Sequence, residues 1–308
     1  MISVIIPNCN HAPFLEERLL SVLQQKQFIK EIVVLDDAST DDSLTILSHF
    51  ENVGIRIVRN TVNSGSVFKQ WQKGLSMIDK DSLVWIAESD DSSDAFFLQE
   101  LLPYFEDPDI VIAYSRSLDI DEKDEKIGLS YRELPWCNDS FVKQGTKEIL
   151  DHLYLQCTIP NVSAVLFRNS AIDDSFFAHN FSLCGDWYFY LRLLEKGKIA
   201  YLSKPLNFHR FHQGTMRNKS IKSLEILNER LLIVKEVRKR HGLNFYRYVS
   251  SAAFQIELFI TETRISDLVG PLGKKMFVII KKYGYFFWLV AIILLTKRVL
   301  KKSFSVGR

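Results

Sequence analysis

The N-terminal part of the chain alternates between short apolar runs and longer stretches in which apolar residues recur at helical spacing. Four runs predict buried strands: SVIIP (3–7), EIVVLDD (31–37), IRIVRN (55–60) and LVWIA (83–87). Three stretches predict the intervening helices: PFLEERLLSVLQQ (13–25), STDDSLTILSHF (39–50) and SVFKQWQKGLSMI (66–78). This alternation predicts an α/β fold with a mostly parallel central sheet and helices on both faces, as in Rossmann-like domains.

The pattern after residue 110 is more mixed. It predicts two strands, a charged hairpin and an amphipathic helix: IVIAYS (110–115), SAVLFR (163–168), DIDEKDEKIG (119–128) and DWYFYLRLLEKG (186–197). Gly197 is the expected C-cap of that helix, and residues 221–267 are mainly helical in pattern. We therefore expect one domain over residues 1–220, a C-terminal helical extension over 221–267 and a distinct tail over 268–308.

Polar loops follow all four N-terminal strands: PNCN, DDAST, NTVNSG and ESDD. Because the carboxyl ends of parallel strands meet at one edge of a sheet, where α/β proteins bind ligands, we expect these loops to form one site. The last loop carries Glu88, Asp90 and Asp91, whose negative charges repel one another at short range. A divalent cation, a helix N-terminus or exposure to solvent would each offset that repulsion, and the pattern alone leaves the three open.

The composition indicates a globular protein, and the charge distribution limits which classes of partner it can bind. Apolar residues make up 47% of the 308 residues, enough for a sizeable core. Nine Lys and Arg but no Asp or Glu lie in residues 268–308, which leaves 30 basic and 37 acidic residues in 1–267. The acidic body argues against a nucleic-acid partner, and the basic tail predicts contact with an anionic membrane surface. Four scattered cysteines without a CxxC pair fit a reducing compartment, the cytoplasm.

Five ordered blocks resemble the family 2 glycosyltransferases of GT-A fold, in particular those of bacterial cell-surface polysaccharide synthesis: SVIIPNCNHAPFLEERLLSVLQQ, EIVVLDDASTDDS, NSGSVFKQW, WIAESDD and LCGDWYFYLRLL. The resemblance extends from about residue 2 to about residue 215. It implies an inverting, metal-dependent enzyme that moves a sugar from a UDP- or dTDP-sugar to a hydroxyl of a saccharide or lipid-linked saccharide. Mn²⁺ or Mg²⁺ is the implied cofactor, because a cation neutralises the charge that develops on the departing diphosphate.

The resemblance implies that the ESDD loop holds this cation. It assigns Asp90 as a metal ligand, Asp91 as a helper or as the cap of the following segment, and Glu88 to the ribose or the water shell of the metal. His212, in NFHRFHQGT (207–215), is a candidate ligand because imidazole is acceptable to Mn²⁺. Ordinary polar surface is the alternative for this loop.

Further residues are expected to contact the nucleotide-sugar. The resemblance implies that Asp37 accepts a hydrogen bond from N3–H of uracil or thymine, with Asp36 beside it, and helix capping is the alternative for either. Gly65 permits a positive φ. By resemblance Arg210 is expected to face the diphosphate. Lys69 is a candidate for the same contact, in place of an arginine that many relatives carry, and an exposed helix lysine is the alternative. The remaining candidates in these loops are Pro7, Asn8, Asn10 and Asn63.

Asp186, in CGDWYFYL, is by resemblance the general base that activates the acceptor hydroxyl, and helix capping is the alternative. Two other functions stay open. A sugar nucleotidyltransferase also uses a carboxylate–metal site, but it is expected to carry a Gly-rich basic loop where this chain has NCNHAPF. A nucleotide-sugar-binding protein without activity is disfavoured by the intact acidic motifs.

The tail contains 14 uncharged residues, YGYFFWLVAIILLT, between Lys282 and Lys297. Because a spanning helix needs ~20 apolar residues, we expect an anchor that lies in the membrane plane, with Tyr283, Tyr285 and Trp288 at headgroup level. A C-terminal helix packed against the body is the alternative. An anchor of this kind predicts a peripheral enzyme on the cytoplasmic face of the cell membrane.

Overall fold

The chain forms two compact units in the computed structural model, which describes residues 1–130, 137–212, 224–263, 267–268 and 270–305. The first, here called the sheet unit, comprises Met1–Ile149 and Thr158–His212, and the second, here called the helical unit, comprises Leu150–Cys157 and Gln213–Arg308. The boundary predicted at residue 220 lies outside the described residues. The boundary predicted between extension and tail, at residue 268, falls inside the helical unit.

One mixed sheet of ten strands, counted over the described residues, organises the sheet unit. The strands are β1 (Ile2–Asn8), β2 (Ile29–Asp36), β3 (Ile55–Arg59), β4 (Leu83–Ile86), β5 (Ser92–Ser93), β6 (Ile110–Ile120), β7 (Lys126–Leu129), β8 (Phe141–Gln144), β9 (Val165–Arg168) and β10 (Lys198–Arg210). Their order is β3-β2-β1-β4-β9-β6-β10-β5, with β7 paired to β6 and β8 to β10.

Parallel pairing joins the four N-terminal strands, as predicted. Beyond them β9 runs antiparallel between β4 and β6, and β6 pairs in parallel with β10. The loops after β1, β2 and β3 therefore meet at one edge: Asp37 N–H donates to the Asn8 carbonyl and Asn60 N–H to the Asp36 carbonyl, both at 2.8 Å.

Six helices of the sheet unit and four of the helical unit are described. In the sheet unit they are α1 (Ala12–Leu23), α2 (Ser43–His49), α3 (Val67–Met77), α4 (Phe97–Leu101), α5 (Gly145–Glu148) and α6 (Gly185–Leu194). In the helical unit they are α7 (Leu224–His241), α8 (Phe245–Glu262), α9 (Pro271–Tyr283) and α10 (Tyr285–Ser305).

Helices cover both faces of the sheet. Val4 and Ile6 of β1 belong to a core cluster with Leu15 and Leu19 of α1. Ile5, which points to the opposite face, lies against α3, where a Cβ on Gly74 would come 2.6 Å from the Ile5 Cγ2 atom. The continuous apolar run of β1 is therefore buried on both sides, as its sequence predicts.

The start of α2 differs from the predicted one. It begins at Ser43 rather than directly after Ser39 or Thr40. Those two residues instead bind the preceding loop, because Ser39 Oγ accepts the Asn10 N–H at 3.0 Å and the Thr40 N–H donates to Asn10 Oδ1 at 2.7 Å. Ser39 and Thr40 therefore hold two loops together, although the sequence predicted that they begin the helix.

The prediction for Gly197 was also wrong. α6 ends at Leu194 with Glu195 as its C-cap. A Cβ on Gly197 would lie 2.3 Å from the carbonyl oxygen of Asp109. Glycine at this position thus permits a close approach of two backbone segments.

The helical unit packs α7, α8, α9 and α10 against one another. Phe287 and Ala291, one turn apart on α10, are buried. The Tyr283 hydroxyl donates to the Asn228 carbonyl at 2.9 Å, so this ring faces the neighbouring helix α7. That contact does not fit the headgroup position predicted for Tyr283. No described helix is long and apolar enough to cross a membrane.

Candidate functional site

The acidic loop between β4 and β5, residues 87–91, contacts a buried arginine that no sequence motif indicated. Arg18 of α1 is completely buried, and its Nε donates to the Glu88 carbonyl at 2.8 Å. Neither of its Nη atoms has a hydrogen-bond partner among the described residues. Burial lowers the pKa of Arg18 to about 10, against the opposing effect of Asp91 and Asp90. Arg18 is thus a cation at neutral pH and offsets part of the repulsion in the loop.

A second buried arginine holds the same loop from the end of β10. Arg210 Nε donates to the Asp90 carbonyl at 2.8 Å, and Nη1 donates to the Asp121 carbonyl at 2.9 Å. The guanidinium also pairs with Asp124 and Glu17, both at 2.5 Å. All three nitrogens are therefore engaged inside the protein, and the side chain is 1% exposed. The diphosphate contact predicted for Arg210 does not fit this position, because the side chain is buried and four of its five N–H donors are already used within the protein.

Asp90, His212 and His11 bring three potential metal-ligand atoms together, each within 4.8 Å of the others. His212 Nε2 lies 3.1 Å from Asp90 Oδ2, and His11 comes from the loop after β1. Burial would raise the pKa of Asp90, but the hydrogen bond from His212 and the charge of His11 outweigh it and lower that pKa to about 2. The structure thus places the predicted ligands Asp90 and His212 side by side and adds a second histidine.

Glu88 is held by α3. Trp71 Nε1 donates to Glu88 Oε1 at 2.9 Å, and among the described residues Glu88 is not a member of the histidine–carboxylate group. Burial and the neighbouring Asp90 raise the pKa of Glu88 to about 8. A raised pKa favours the neutral carboxyl group, which repels Asp90 less than a carboxylate would.

Asp91 has a different environment from the predicted one. It is 3% exposed, and its Oδ1 accepts the Arg210 N–H at 2.9 Å while its Oδ2 accepts from Asn161 Nδ2 at 2.8 Å. Burial and Asp90 raise its pKa. Both oxygens are directed at other parts of the sheet unit, so Asp91 ties those segments to the loop instead of joining Asp90 as a metal ligand.

Asp37 is the acceptor at the centre of the loops after β2 and β3. Its Oδ1 accepts from Asn60 Nδ2 at 2.6 Å, from the Ser64 N–H at 2.9 Å and from Gln70 Nε2 at 3.0 Å. Its Oδ2 accepts from the Ser64 hydroxyl at 2.7 Å. Oδ1 is therefore saturated, whereas Oδ2 has one partner among the described residues and room for a second.

Three predicted nucleotide contacts are buried where the first two loops join. Asn8 Nδ2 donates to Asp36 Oδ1 at 2.9 Å, and Asp36 Oδ2 accepts the Ser39 N–H at 3.1 Å. Asp36 is 1% and Asn8 2% exposed, and Pro7 is buried in β1. Direct contact with a nucleotide does not fit these positions. The three residues instead fix the backbone of the loop in which Asn10 is exposed.

The loop after β3 supplies the exposed residues around Asp37. Asn63 Nδ2 donates to the Asp37 carbonyl at 3.0 Å, and Asn63 Oδ1 accepts the Gly65 N–H at 2.7 Å. Gly65 has a φ of +74°, a positive value that glycine permits, with open space around it. Lys69 is exposed and its Nζ donates to the Ser64 carbonyl at 3.0 Å. Asn63, Gly65 and Lys69 are thus accessible to a ligand.

Asp186 lies in the first turn of α6, where its Oδ1 accepts the N–H of the next residue at 2.8 Å. Gly185 packs against α3, because a Cβ there would lie 2.8 Å from the Phe68 ring. Phe189, one turn later, contacts Trp71 with ring centroids 5.8 Å apart. Since Trp71 also bonds to the acidic loop, α3 connects the start of α6 with that loop.

Sequence reasoning missed His11, Arg18 and Trp71. His11 directly follows the NCN loop and so shares the predicted edge, which was an available signal. Arg18 occupies the face of α1 that carries buried Leu15 and Leu19, and a charged residue on an apolar face also indicates a special role. Trp71 fits a core pattern, and nothing in its spacing indicated a bond to Glu88.

Comparisons with known proteins agree with this architecture. A family model described as Glycosyl transferase family 2 matches residues 3–176. The uncharacterized protein MT1568 of Mycobacterium tuberculosis is 29% identical over 70% of this chain and 68% of its own length. The O-antigen chain rhamnosyltransferase RfbN of Salmonella typhimurium is 23% identical over 68% of this chain and 66% of its own.

The crystal structure of S. aureus TarS 1-349 matches with a TM-score of 0.66 at 18% identity, covering 100% of this chain and 92% of that one. TarS has also been crystallised in complex with UDP-GlcNAc. The parallel strands, the loops at their carboxyl edge and the likeness to TarS define a GT-A fold with added C-terminal helices, as predicted. Because the family model covers more than half of the residues, the chain belongs to glycosyl transferase family 2.

Proposed function

We propose that this protein is an inverting, metal-dependent glycosyltransferase that moves a sugar from a UDP- or dTDP-sugar to a hydroxyl of a saccharide or lipid-linked saccharide. The observation that carries the proposal is the grouping of Asp90, His212 and His11 at the edge where the loops around Asp37 also lie. The TarS complex with UDP-GlcNAc supports a UDP-sugar donor. The similarity to an O-antigen chain rhamnosyltransferase supports a role in cell-surface polysaccharide synthesis.

The residues present fit a divalent cation. Asp90 offers a carboxylate oxygen and the two histidines offer imidazole nitrogens, which are accepted ligand types. Arg18 and Arg210 hold the backbone of the loop from both sides, so the Asp90 side chain does not depend on the cation for its position. When bound, Mn²⁺ or Mg²⁺ supplies positive charge to the diphosphate that leaves.

The base of the nucleotide is proposed to bind at Asp37. Since Asp37 Oδ2 has one lone pair to spare, it can accept the N3–H of uracil or thymine, and cytosine has no such donor. The exposed residues Asn10, Asn63, Gly65 and Lys69 surround this position as further contacts. Uridine or thymidine diphosphate sugars are therefore the proposed donors.

Asp186 is proposed as the general base. A carboxylate at the start of α6 can take the proton of the acceptor hydroxyl as that oxygen attacks the anomeric carbon. Attack on the face opposite the departing diphosphate inverts the anomeric configuration.

The experiment is a panel of UDP- and dTDP-sugars incubated with the purified protein, Mn²⁺ and simple saccharide acceptors. The proposal predicts release of UDP or dTDP and a glycoside product of inverted configuration by NMR. A binding protein without activity would gain thermal stability from a donor but release no nucleotide. A nucleotidyltransferase would instead convert the donor and pyrophosphate into a nucleoside triphosphate.

The helical unit is proposed to bind the cytoplasmic face of the cell membrane peripherally. α10 exposes a set of apolar side chains, Tyr285, Phe286, Trp288, Leu289 and Ile293. α9 adds four exposed lysines, Lys274, Lys275, Lys281 and Lys282. Apolar side chains combined with lysines match a surface of anionic lipid. A protein held there would reach a lipid-linked saccharide acceptor.

Sedimentation with phosphatidylglycerol vesicles tests this binding, and phosphatidylcholine vesicles show how much of it depends on lipid charge. Leu289→Ser and Ile293→Ser are expected to lower the bound fraction. Val142→Ser, an exposed apolar residue of the sheet unit, is the matched control. If Leu289→Ser and Ile293→Ser sediment with the vesicles to the same extent as Val142→Ser, the proposal that α10 binds the membrane is contradicted.

A further inference from the structure

We infer that His11 is a ligand of the cation, and that the site selects a first-row transition ion such as Zn²⁺, Co²⁺ or Mn²⁺ over Mg²⁺. The inference rests on the proposed function for the presence of a cation. The choice of ion follows from the chemistry of the three side chains that meet at the site.

The rings of His11 and His212 are placed as two ligands of one ion would be. Their centroids are 5.5 Å apart and their planes are nearly perpendicular, at 89°. With metal–nitrogen bonds of about 2.1 Å, two imidazoles that share an ion have ring centroids roughly 5 Å apart. The 3.1 Å between Asp90 Oδ2 and His212 Nε2 is likewise the separation of adjacent ligands at about this bond length.

His11 is oriented by a buried partner. Its Nδ1 lies 2.8 Å from Ser89 Oγ, and Ser89 is completely buried. When Nδ1–H donates to this hydroxyl, the lone pair of Nε2 is free to bind a metal. Histidines that bind metals are usually oriented in this way, by a hydrogen bond from the second ring nitrogen to a neighbouring acceptor. His11 precedes α1, but its side chain makes no capping bond to that helix. The ring is thus positioned by Ser89 without serving the helix.

The carboxyl groups of Glu88 and Asp91 are close to the three ligand atoms but add no oxygen ligand to them. Glu88 Oε1 is bonded to Trp71, and both oxygens of Asp91 are bonded inside the sheet unit. The ligand set is therefore two imidazole nitrogens and one carboxylate oxygen. Mg²⁺ prefers oxygen ligands and gives up its water reluctantly, whereas imidazole suits transition ions. The expected order of affinity is Zn²⁺ and Co²⁺ above Mn²⁺, with Mg²⁺ weakest.

Calorimetric titration of the full chain with each metal salt alone tests the inference, together with the visible absorption of bound Co²⁺. His11→Gln is expected to weaken Zn²⁺ and Co²⁺ binding by roughly tenfold or more, since loss of even an outer partner costs about 10–100-fold. The Co²⁺ spectrum is expected to change with it. Mg²⁺ binding is expected to change little. His49→Gln, at an exposed position on α2, is the matched control and leaves binding unchanged.

His11→Asp separates a ligand from a merely structural residue. A carboxylate at this position restores an oxygen ligand, so the ratio of Mg²⁺ to Zn²⁺ affinity is expected to rise above that of the wild type. Unaltered Zn²⁺ and Co²⁺ binding by His11→Gln, or a wild-type preference for Mg²⁺, would overturn the inference. Because these readouts need no sugar transfer, His11-dependent binding without turnover of any donor would refute the proposed function and leave this inference standing.

Discussion

Replacing Arg210 distinguishes a structural role from a catalytic one. In the structure its guanidinium joins the Asp90 and Asp121 carbonyls within the sheet unit, so we expect Arg210→Met to destabilise the fold. The backbone N–H of Arg210 keeps its bond to Asp91 in the variant. The change therefore removes the buried charge and its bonds while leaving the end of β10 attached to the loop.

The magnitude follows from the partners. The carbonyl groups of Asp90 and Asp121 each lose a charged hydrogen-bond donor. Each lost bond is expected to lower the free energy of unfolding by about 1.5–3 kcal/mol. Glu17 and Asp124 are 44% and 61% exposed, so solvent screens these ion pairs and they add little. The surrounding structure can relax in part, so the free energy of unfolding is expected to fall by about 3–5 kcal/mol. This is the usual cost of breaking a buried ion pair by removing one partner. A unit of this size loses roughly 2–4 °C in Tm per kcal/mol, so a fall of roughly 10 °C is expected.

Urea unfolding followed by tryptophan fluorescence, with thermal unfolding beside it, measures the effect. Arg56→Met removes an exposed arginine of β3 and is the matched control, expected within about 0.5 kcal/mol of the wild type. An unchanged Tm for Arg210→Met, combined with a higher KM for the donor sugar, would refute this reasoning. Such a result would restore the diphosphate contact that the sequence suggested.

Three further substitutions test other parts of the account. Asp186→Asn is expected to lower kcat by about 10²–10⁴-fold with an unchanged donor KM, because it removes only the base; initial rates that fall through KM alone would contradict that role. Gly145→Ala would place a Cβ 2.1 Å from the Leu194 carbonyl oxygen, so the unfolding free energy should fall by about 1–3 kcal/mol in urea. Trp71→Phe removes the hydrogen-bond donor to Glu88 and should lower the free energy of unfolding by about 1–3 kcal/mol. An unfolding midpoint equal to that of the wild type would show that this bond does not stabilise the fold.

The sequence predicted the fold because the local pattern and the pairing order agree in the N-terminal half. Runs such as SVIIP and LVWIA have no polar interruption, and their strands are indeed parallel and covered on both faces. The pairing of β10 with β6 joins residues far apart in the chain. Spacing between neighbours contains no information on such partners, which explains why the mixed part of the sheet was not foreseen.

The sequence predicted where the candidate site lies but not the role of each residue in it. The sequence predicted that Asp90 and Asp91 lie at one edge of the sheet and that Arg210 faces the diphosphate, yet the direction of each side chain depends on burial and on partners elsewhere in the chain. Asp91 and Arg210 are the polar residues that satisfy buried backbone groups. Arg18 was overlooked because a helical pattern treats a charge as exposed, whereas here it lies buried beside Glu88.

Metal-dependent nucleotide release by the wild type and by Asp90→Ala tests the central claim most directly. With Mn²⁺ and a cognate UDP- or dTDP-sugar, the wild type is predicted to release nucleotide. Chelation of the metal and Asp90→Ala are each predicted to lower the rate by about 10²–10³-fold or more, since both leave the diphosphate charge uncompensated. Release at the wild-type rate in Asp90→Ala, and again after the metal has been removed, would contradict the account.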